Sequence, residues 1–173
     1  MSESKLQPAL PVNVRPATPE DIPTILGFIK ELAIYEKESD AAKATTELIK
    51  LNVFEKEYAH VIIAEDPAKN NEPVGMALYF FTFSTWTGKP SLYLEDLFVT
   101  ESVRNRGAGK ALFRQLGKIA EEKDCQRMDW SVLTWNAPSI AFYEKVLGAT
   151  RMEEWRQMRL ETEGIKRLQT LGL

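Results

Sequence analysis

The sequence predicts a single α/β domain with a mixed, mostly antiparallel central sheet flanked by helices on both sides. Two patterns support this fold class. Before Thr100, runs of strand length follow one another across short turns, which is typical of antiparallel pairing. Beyond it, strand-like and helical segments alternate, which favours parallel pairing. The 173 residues, of which 44% are hydrophobic, suit one globular domain.

The first part of the chain is predicted to contain two helices and four strands. Val12–Arg15 alternates like a short strand, and the hydroxyl, proline and acids of Thr18–Asp21 predict a helix start. Apolar residues at helical spacing continue this helix to Ala33, and Thr46 is a candidate cap for a second helix. Three further strands are expected at His60–Glu65, Val74–Phe83 and Leu92–Val99.

The second part is predicted to alternate between helices and strands. A helix is expected to start at Gly107, because apolar residues from Ala111 to Ala120 share one helical face. Met128–Val132 alternates like a strand, and Pro138–Val146 has helical spacing. Trp155–Leu160 is expected to form the last strand.

Composition places limits on function. Lys and Arg total 22 against 25 Asp and Glu, and this net charge of -3 gives no support to nucleic-acid binding. A single cysteine, Cys125, and a single histidine, His60, argue against a disulfide framework and against a metal site. No apolar run approaches the roughly 20 residues of a membrane span, so a cytoplasmic protein without membrane contact is expected. The predicted organisation is a flexible arm over residues 1–11 and one domain over residues 12–173.

A glycine-containing loop joins a predicted strand to a predicted helix. Glycines let a backbone turn tightly and approach a ligand, and the N–H groups of a helix start favour an anion. The spacing matches neither a Walker loop nor the dinucleotide fingerprint. The loop is therefore either a pyrophosphate site or a plain turn beside solvated arginines. Its residues are Arg104, Asn105, Arg106, Gly107, Ala108, Gly109 and Lys110.

Two adjacent acids, Glu95 and Asp96, interrupt the apolar strand before this loop. Neighbouring strand residues face opposite sides of a sheet, so the two carboxyl groups share a face only where a bulge intervenes. They are candidates for a functional pair or for structural ion-pair partners.

These motifs together resemble the GNAT superfamily of acetyl-CoA-dependent N-acetyltransferases. The similarity rests on Arg-x-x-Gly-x-Gly at Arg104–Gly109 and on Asn-x-x-Ser-x-x-Phe-Tyr at Asn136–Tyr143. Three further segments, Tyr93–Val99, Ile29–Glu36 and Trp86–Lys89, resemble the spermidine/spermine branch, which includes the thialysine and diamine acetyltransferases. The resemblance implies a GNAT-like fold, acetyl-CoA as co-substrate and a homodimer, with the C-terminal strand a candidate for exchange between subunits.

The resemblance also implies roles for individual residues. Tyr143 matches the tyrosine that protonates the departing thiolate, and Glu95 matches the acid that deprotonates the amine through water. Cofactor contacts are implied for the loop above and for Leu97, Phe98, Val99, Asn136 and Ser139. Amine contacts are implied for Tyr35, Glu36, Trp86, Asp96, Asp129 and an acid at Glu154, with Glu153 as the alternative.

Two departures bear on the acceptor. Ser84-Thr85-Trp86 stands where polyamine-preferring members carry an acid before the tryptophan, so this segment looks more like the thialysine-type enzymes. Tyr143–Ala149 is one residue longer before its glycine than is usual. The predicted function is acetyl transfer to the primary amine of a small cationic metabolite, which is a thialysine-like amino acid, a diamine or a polyamine. The alternatives are a protein lysine or N-terminus as acceptor, and a non-catalytic acetyl-CoA-binding module.

Overall fold

A computed structural model describes residues 9–172 of the chain. These residues separate into two compact units, the first ending at Ser131 and the second beginning at Val132. Within the described range, every helix is too short or too polar to cross a bilayer. The predicted arm, residues 1–11, lies mostly outside the described residues.

The first unit contains a five-stranded sheet in the order β1-β2-β3-β4-β5. The three pairings from β1 to β4 are antiparallel, and β5 runs parallel to β4. The mixed, mostly antiparallel sheet predicted from the sequence is therefore confirmed. Its strands are β1 (Asn13–Pro16), β2 (His60–Asp66), β3 (Glu72–Ser84), β4 (Lys89–Val99) and β5 (Arg127–Trp130).

Helices cover both faces of this sheet, as predicted. Alternate residues of β2, Val61 and Ile63, pack with one face of α1 (Ile22–Tyr35) in a buried apolar cluster. The intervening Ile62 is also buried, because α3 (Ala108–Glu122) contacts the opposite face of the sheet. This arrangement buries both sets of alternating side chains and fixes the strand register.

The start of α1 is held by an ion-pair network. Arg15 donates to Asp21 at 2.7 Å and to Glu65 at 2.7 Å, and Asp21 also accepts from the backbone N–H of Thr18 at 2.8 Å. The hydrogen bond from Arg15 is the main reason that the pKa of Asp21 lies below its usual range. The predicted helix start is thereby tied to β1 and β2.

The second predicted helix differs from expectation. Its cap is Thr45, not Thr46, because the Thr45 hydroxyl accepts from the backbone N–H of Leu48 at 3.3 Å. Only Thr46–Ile49 is α-helical (α2), and Lys50–Glu55 continues as a π-helical turn. Local spacing does not distinguish α from π winding, since both place apolar residues on one side.

The second unit contains α4 (Ala137–Lys145) and α5 (Thr162–Leu168). The prediction of a strand over Trp155–Leu160 is wrong, because this stretch is exposed and forms no strand. A strand needs a neighbouring strand to bond its backbone, and no strand lies among the described residues after Val132.

Gly75 of β3 lies against the backbone of β4. A Cβ atom at this position would lie 2.5 Å from the carbonyl oxygen of Phe98 and 3.3 Å from Cα of Val99. We expect Gly75→Ala to destabilise the protein by about 1–3 kcal/mol, since rigid backbone cannot yield to the added methyl. Urea unfolding midpoints measure the change.

The matched control is Gly117→Ala, on an exposed position of α3 where an added Cβ meets no atom within 4 Å. Alanine there should stabilise the helix by up to about 1 kcal/mol. An unchanged midpoint for Gly75→Ala would show that the two strands approach less closely.

Candidate active site

A β-bulge brings the two adjacent acids of β4 into one region. Leu78 of β3 pairs with Asp96, whereas the next residue, Tyr79, pairs with Leu94. Glu95 is therefore an extra residue on β4, which is the arrangement of a bulge. Leu78 and Tyr79 face opposite sides of the sheet, so their partners Asp96 and Leu94 also face opposite sides. In a regular strand, residues two positions apart share a face, so the bulge at Glu95 changes the face on which Asp96 lies.

A third carboxyl group approaches from the end of α1. Burial, together with the charges of Glu95 and Glu36, raises the pKa of Asp96 to about 6. Burial also raises the pKa of Glu36, with a smaller contribution from Glu38. Like charges that oppose one another's ionisation lie close together, so Glu36, Glu95 and Asp96 form a cluster that we call the acid cluster. Such a cluster favours a bound cation.

The register of β5 places Asp129, another predicted site residue, on the same face of the sheet as Asp96. Asp129 pairs directly with Tyr93, which precedes the bulge, and is exposed. The hydroxyl groups of Tyr93 and Ser131 lie 2.9 Å apart, which links the two strands beyond the backbone. Trp86, in contrast, lies in the β3–β4 turn with 83% of its surface exposed, at the far end of that hairpin.

The pairing of β5 with β4 covers Ser91 to Leu94. Within residues 9–172, no strand pairs with β4 beyond Leu94 on that side, and we call this stretch the open edge of β4. The following residues of β4, which include the predicted cofactor contacts Leu97, Phe98 and Val99, pair with β3 on their other side. Their outward backbone groups lie where an extended ligand could add to the sheet edge.

The glycine loop leads into the N-terminus of α3. Asn105 and Gly107 have positive φ angles of 61° and 104°, so the backbone turns sharply there. The first intrahelical bond is donated by Ala111 to the Gly107 carbonyl at 3.0 Å, and the N–H groups of Ala108, Gly109 and Lys110 precede it. These are donors that a helix leaves for an external acceptor.

The space over this loop suits an anionic group. A Cβ atom added to Gly107 or Gly109 would meet no atom within 4 Å. Lys110 is exposed, and Arg106 is half-buried. The backbone carbonyl of Arg106 accepts from the N–H of Leu10, a buried residue of the predicted arm, at 2.8 Å. Residues present at the loop thus fit a polyphosphate.

Arg104, at the start of the same loop, has a different environment. Its guanidinium lies over the ring of Tyr35, with Cζ 4.9 Å from the ring centroid. Two residues predicted to bind different substrates are therefore in direct contact.

The second unit carries the remaining predicted residues. Asn136 caps α4, since its side-chain oxygen accepts from the backbone N–H of Ser139 at 3.3 Å. Tyr143 lies in the body of α4 and is half-buried, with its ring centroid 5.8 Å from that of Phe142. Glu154 is exposed in a turn.

A cavity of about 420 Å³ lies outside the predicted site, because none of its lining residues is a predicted site residue. The cavity is lined by Glu57, His60, Tyr79, Phe81, Ile119 and Lys123. Within residues 9–172, no three His, Cys, Asp or Glu side chains are grouped so as to hold a metal ion.

Sequence reasoning missed one supporting residue of the site. Gly75 lets β3 pack closely against Phe98 and Val99, at the open end of β4. The available signal was an isolated glycine within a strand pattern, which indicates a close backbone approach.

Known proteins are similar to this chain in sequence and in fold. The family model described as Acetyltransferase (GNAT) family matches residues 26–149. A thialysine N-epsilon-acetyltransferase from Sus scrofa is 37% identical over 166 residues, which cover 91% of this chain and 96% of that protein.

Two further similarities extend the comparison. A spermidine/spermine N(1)-acetyltransferase-like protein from Homo sapiens is 36% identical over 157 residues, which are 87% of this chain but 22% of that protein. Among solved structures, an integron cassette protein from V. cholerae superposes with a TM-score of 0.74 at 28% identity, covering 92% of this chain and 98% of that one.

Proposed function

Because this chain belongs to the acetyltransferase (GNAT) family and is an acetyl-CoA-dependent N-acetyltransferase, we propose that its acceptor is the primary amine of a small cationic metabolite. The candidate acceptors are thialysine-like amino acids, diamines and polyamines. Relatives named as thialysine N-epsilon-acetyltransferases cover nearly the whole chain, and they support the first of these classes.

The acid cluster carries the proposal. A lysine-like amine has a pKa of about 10.4 and reaches the enzyme as a cation. Ionised Glu36, Glu95 and Asp96 attract that cation, and it in turn stabilises their charges. Asp129 and Tyr35 are proposed to line the same acceptor region, with Trp86 and Glu154 as outer contacts.

The amine must lose a proton before it can attack a thioester. We assign this proton transfer to Glu95, acting through a water molecule, because its exposed carboxyl group lies at the bulge beside Asp96. Asp96 is assigned to binding, since its burial suits a group that pairs with the ammonium. No covalent enzyme intermediate is required.

Acetyl-CoA, when bound, supplies the acetyl group as a thioester. The N–H groups of Ala108, Gly109 and Lys110, with the side chains of Arg106 and Lys110, are proposed to hold its pyrophosphate. The open edge of β4 is proposed to hold the pantetheine arm and to orient the thioester carbonyl. Asn105, Gly107, Asn136 and Ser139 complete the proposed contacts.

Tyr143 is proposed as the proton donor to the departing thiolate. A thiol has a pKa of about 8.5 and a tyrosine about 10, so proton transfer between them is feasible near neutral pH. The tyrosine lies on α4 within the segment that the family model matches.

We propose that the protein acts as a cytoplasmic homodimer. Large apolar side chains of the second unit are exposed, among them Trp155 at 67%, Met158 at 89% and Leu160 at 51%. A second copy of the chain would remove this apolar surface from water. The single cysteine supports a reducing compartment.

An acceptor panel tests the proposed function. Coenzyme A release is followed with acetyl-CoA and with thialysine, ornithine, putrescine, spermidine, lysine-containing peptides and peptides with a free N-terminus. We expect kcat/KM for at least one small amine to exceed that for every peptide by about 100-fold or more, because a compact acid cluster binds small cations. Turnover of peptides alone would contradict a metabolite acceptor.

A further inference from the structure

Arg104 contacts two regions to which the proposed function assigns different substrates. It belongs to the loop before α3, on the cofactor side. Its guanidinium nevertheless lies 4.9 Å from the ring centroid of Tyr35, the last residue of α1. The next residue along the chain is Glu36, whose charge acts on Asp96. One side chain thus connects the loop to the helix end that carries part of the acid cluster.

Two further contacts hold Arg104 in this position. Its Nε donates to the carbonyl of Val99 at 2.9 Å, and its Cζ lies 6.0 Å from the ring centroid of Phe98. Phe98 in turn contacts Phe28, with ring centroids 5.2 Å apart. Phe28 and Tyr35 are seven positions apart and share a face of α1. Arg104 therefore extends the packing of α1 on β4 by a further two turns of helix.

The chemistry of arginine suits this place. A guanidinium is planar, so it can lie over an aromatic ring while its in-plane Nε–H bonds a carbonyl. A lysine ammonium has no flat face and no donor in a fixed direction. The position is also half-buried, where a cation over an aromatic face is held more firmly than in water.

We infer that Arg104 is a positioning residue that locks the C-terminal end of α1 onto the end of β4 and thereby sets the amine site. This inference rests on the proposed function, because that proposal places the amine at the acid cluster. The sequence alone predicted Arg104 as a ligand of the cofactor. Its contacts instead predict that losing the side chain weakens amine binding more than cofactor binding.

Four proteins and one control test the inference. Arg104→Gln, Tyr35→Leu and the double variant are compared with the wild type, using the best amine of the acceptor panel. We expect each single variant to raise the KM of the amine about tenfold at saturating acetyl-CoA, and the double variant to be no worse than either. The Kd of coenzyme A for the unloaded protein, measured by calorimetry, should change less than about threefold.

Conservative variants separate positioning from simple loss of charge. Arg104→Lys keeps the charge without the planar guanidinium, so its amine KM should lie between those of Arg104→Gln and the wild type. Tyr35→Phe keeps the ring face and should recover most of it. Arg114→Gln, at an exposed arginine of α3, should change neither the amine KM nor the coenzyme A Kd.

Two results would overturn the inference. One is an additive effect of the two single variants on the amine KM. The other is a coenzyme A Kd that rises as much as the amine KM, as expected for a phosphate ligand. Should Arg104→Gln fail to fold, the same comparison is made with Arg104→Lys and Tyr35→Leu.

Failure of the proposed function gives a different pattern. A wild-type protein that turns over no amine would refute the acceptor assignment by itself. The Tm values of the same four proteins would then test the contact between Arg104 and Tyr35. Non-additive Tm changes of the two substitutions support the lock between α1 and β4, and additive changes refute it.

Discussion

Tyr143→Phe should lower kcat by about 100-fold to 10,000-fold, the usual range for loss of a general acid. The substitution removes one hydroxyl group and keeps the ring, so the packing of Phe142 against it should persist. Without a proton donor, the thiolate leaves as an anion, which makes departure slower. Coenzyme A affinity should stay within about twofold, since the proposed cofactor contacts lie elsewhere.

Steady-state kinetics with calorimetry of coenzyme A binding checks this expectation. The matched control is Tyr58→Phe, at a tyrosine that is 68% exposed and outside the proposed site. It should leave kcat unchanged. If kcat of Tyr143→Phe stays within twofold of the wild type, Tyr143 is not the proton donor.

Asp96→Asn should produce opposite effects on activity and stability. For activity, the neutral amide cannot pair with an ammonium group, so kcat/KM for the amine should fall about 10-fold to 100-fold. The same reasoning predicts that wild-type kcat/KM falls as the pH drops below about 6, where Asp96 becomes protonated.

The raised pKa of Asp96 determines whether its charge stabilises or destabilises the folded protein. Asp96 titrates at about 6 in the folded protein against an ordinary value of 3.8, so its ionised form is favoured less in the folded than in the unfolded state. Its charge therefore destabilises the folded protein fully above about pH 6, and the effect disappears as the pH falls from 6 towards 4. At pH 8, Asp96→Asn should unfold with a free energy about 1–3 kcal/mol above the wild type.

Urea unfolding at pH 8 and at pH 4.5 measures this difference, which should shrink strongly at the lower pH. Asp40→Asn, at an exposed aspartate, serves as control and should match the wild type at both values. A variant that is less stable than the wild type at pH 8 would show that Asp96 is held by a favourable partner, not by burial among acids.

The bulge at Glu95 illustrates the limit of sequence-based prediction. The adjacent acids and the surrounding apolar strand are visible in the sequence, as is the condition that both reach one face only through a bulge. Where β4 gains its extra residue depends on its pairing with β3, whose partner residues lie some distance away along the chain. The local sequence pattern of β4 does not specify that register.

Trp155–Leu160 illustrates the same limit through a predicted strand that the structure does not contain. Its composition suits a strand, yet the segment forms none, because a strand depends on a partner that local pattern does not specify. Arg104 is a third case. The motif marked it as a loop cation, and its distance to Tyr35 depends on how α1 packs over β4.

By itself, the sequence determined the sheet class, five of the six predicted strands to within a few residues, the glycine loop before α3 and the family. These features follow from spacing along the chain, through strand alternation, helical periodicity and turn chemistry. Only the tertiary structure decided that Glu36 joins Glu95 and Asp96, that Asp96 is half-buried among like charges, and that Arg104 lies over Tyr35. Each of those depends on contacts between residues far apart in sequence, whose energies are set by packing and burial after the chain has folded.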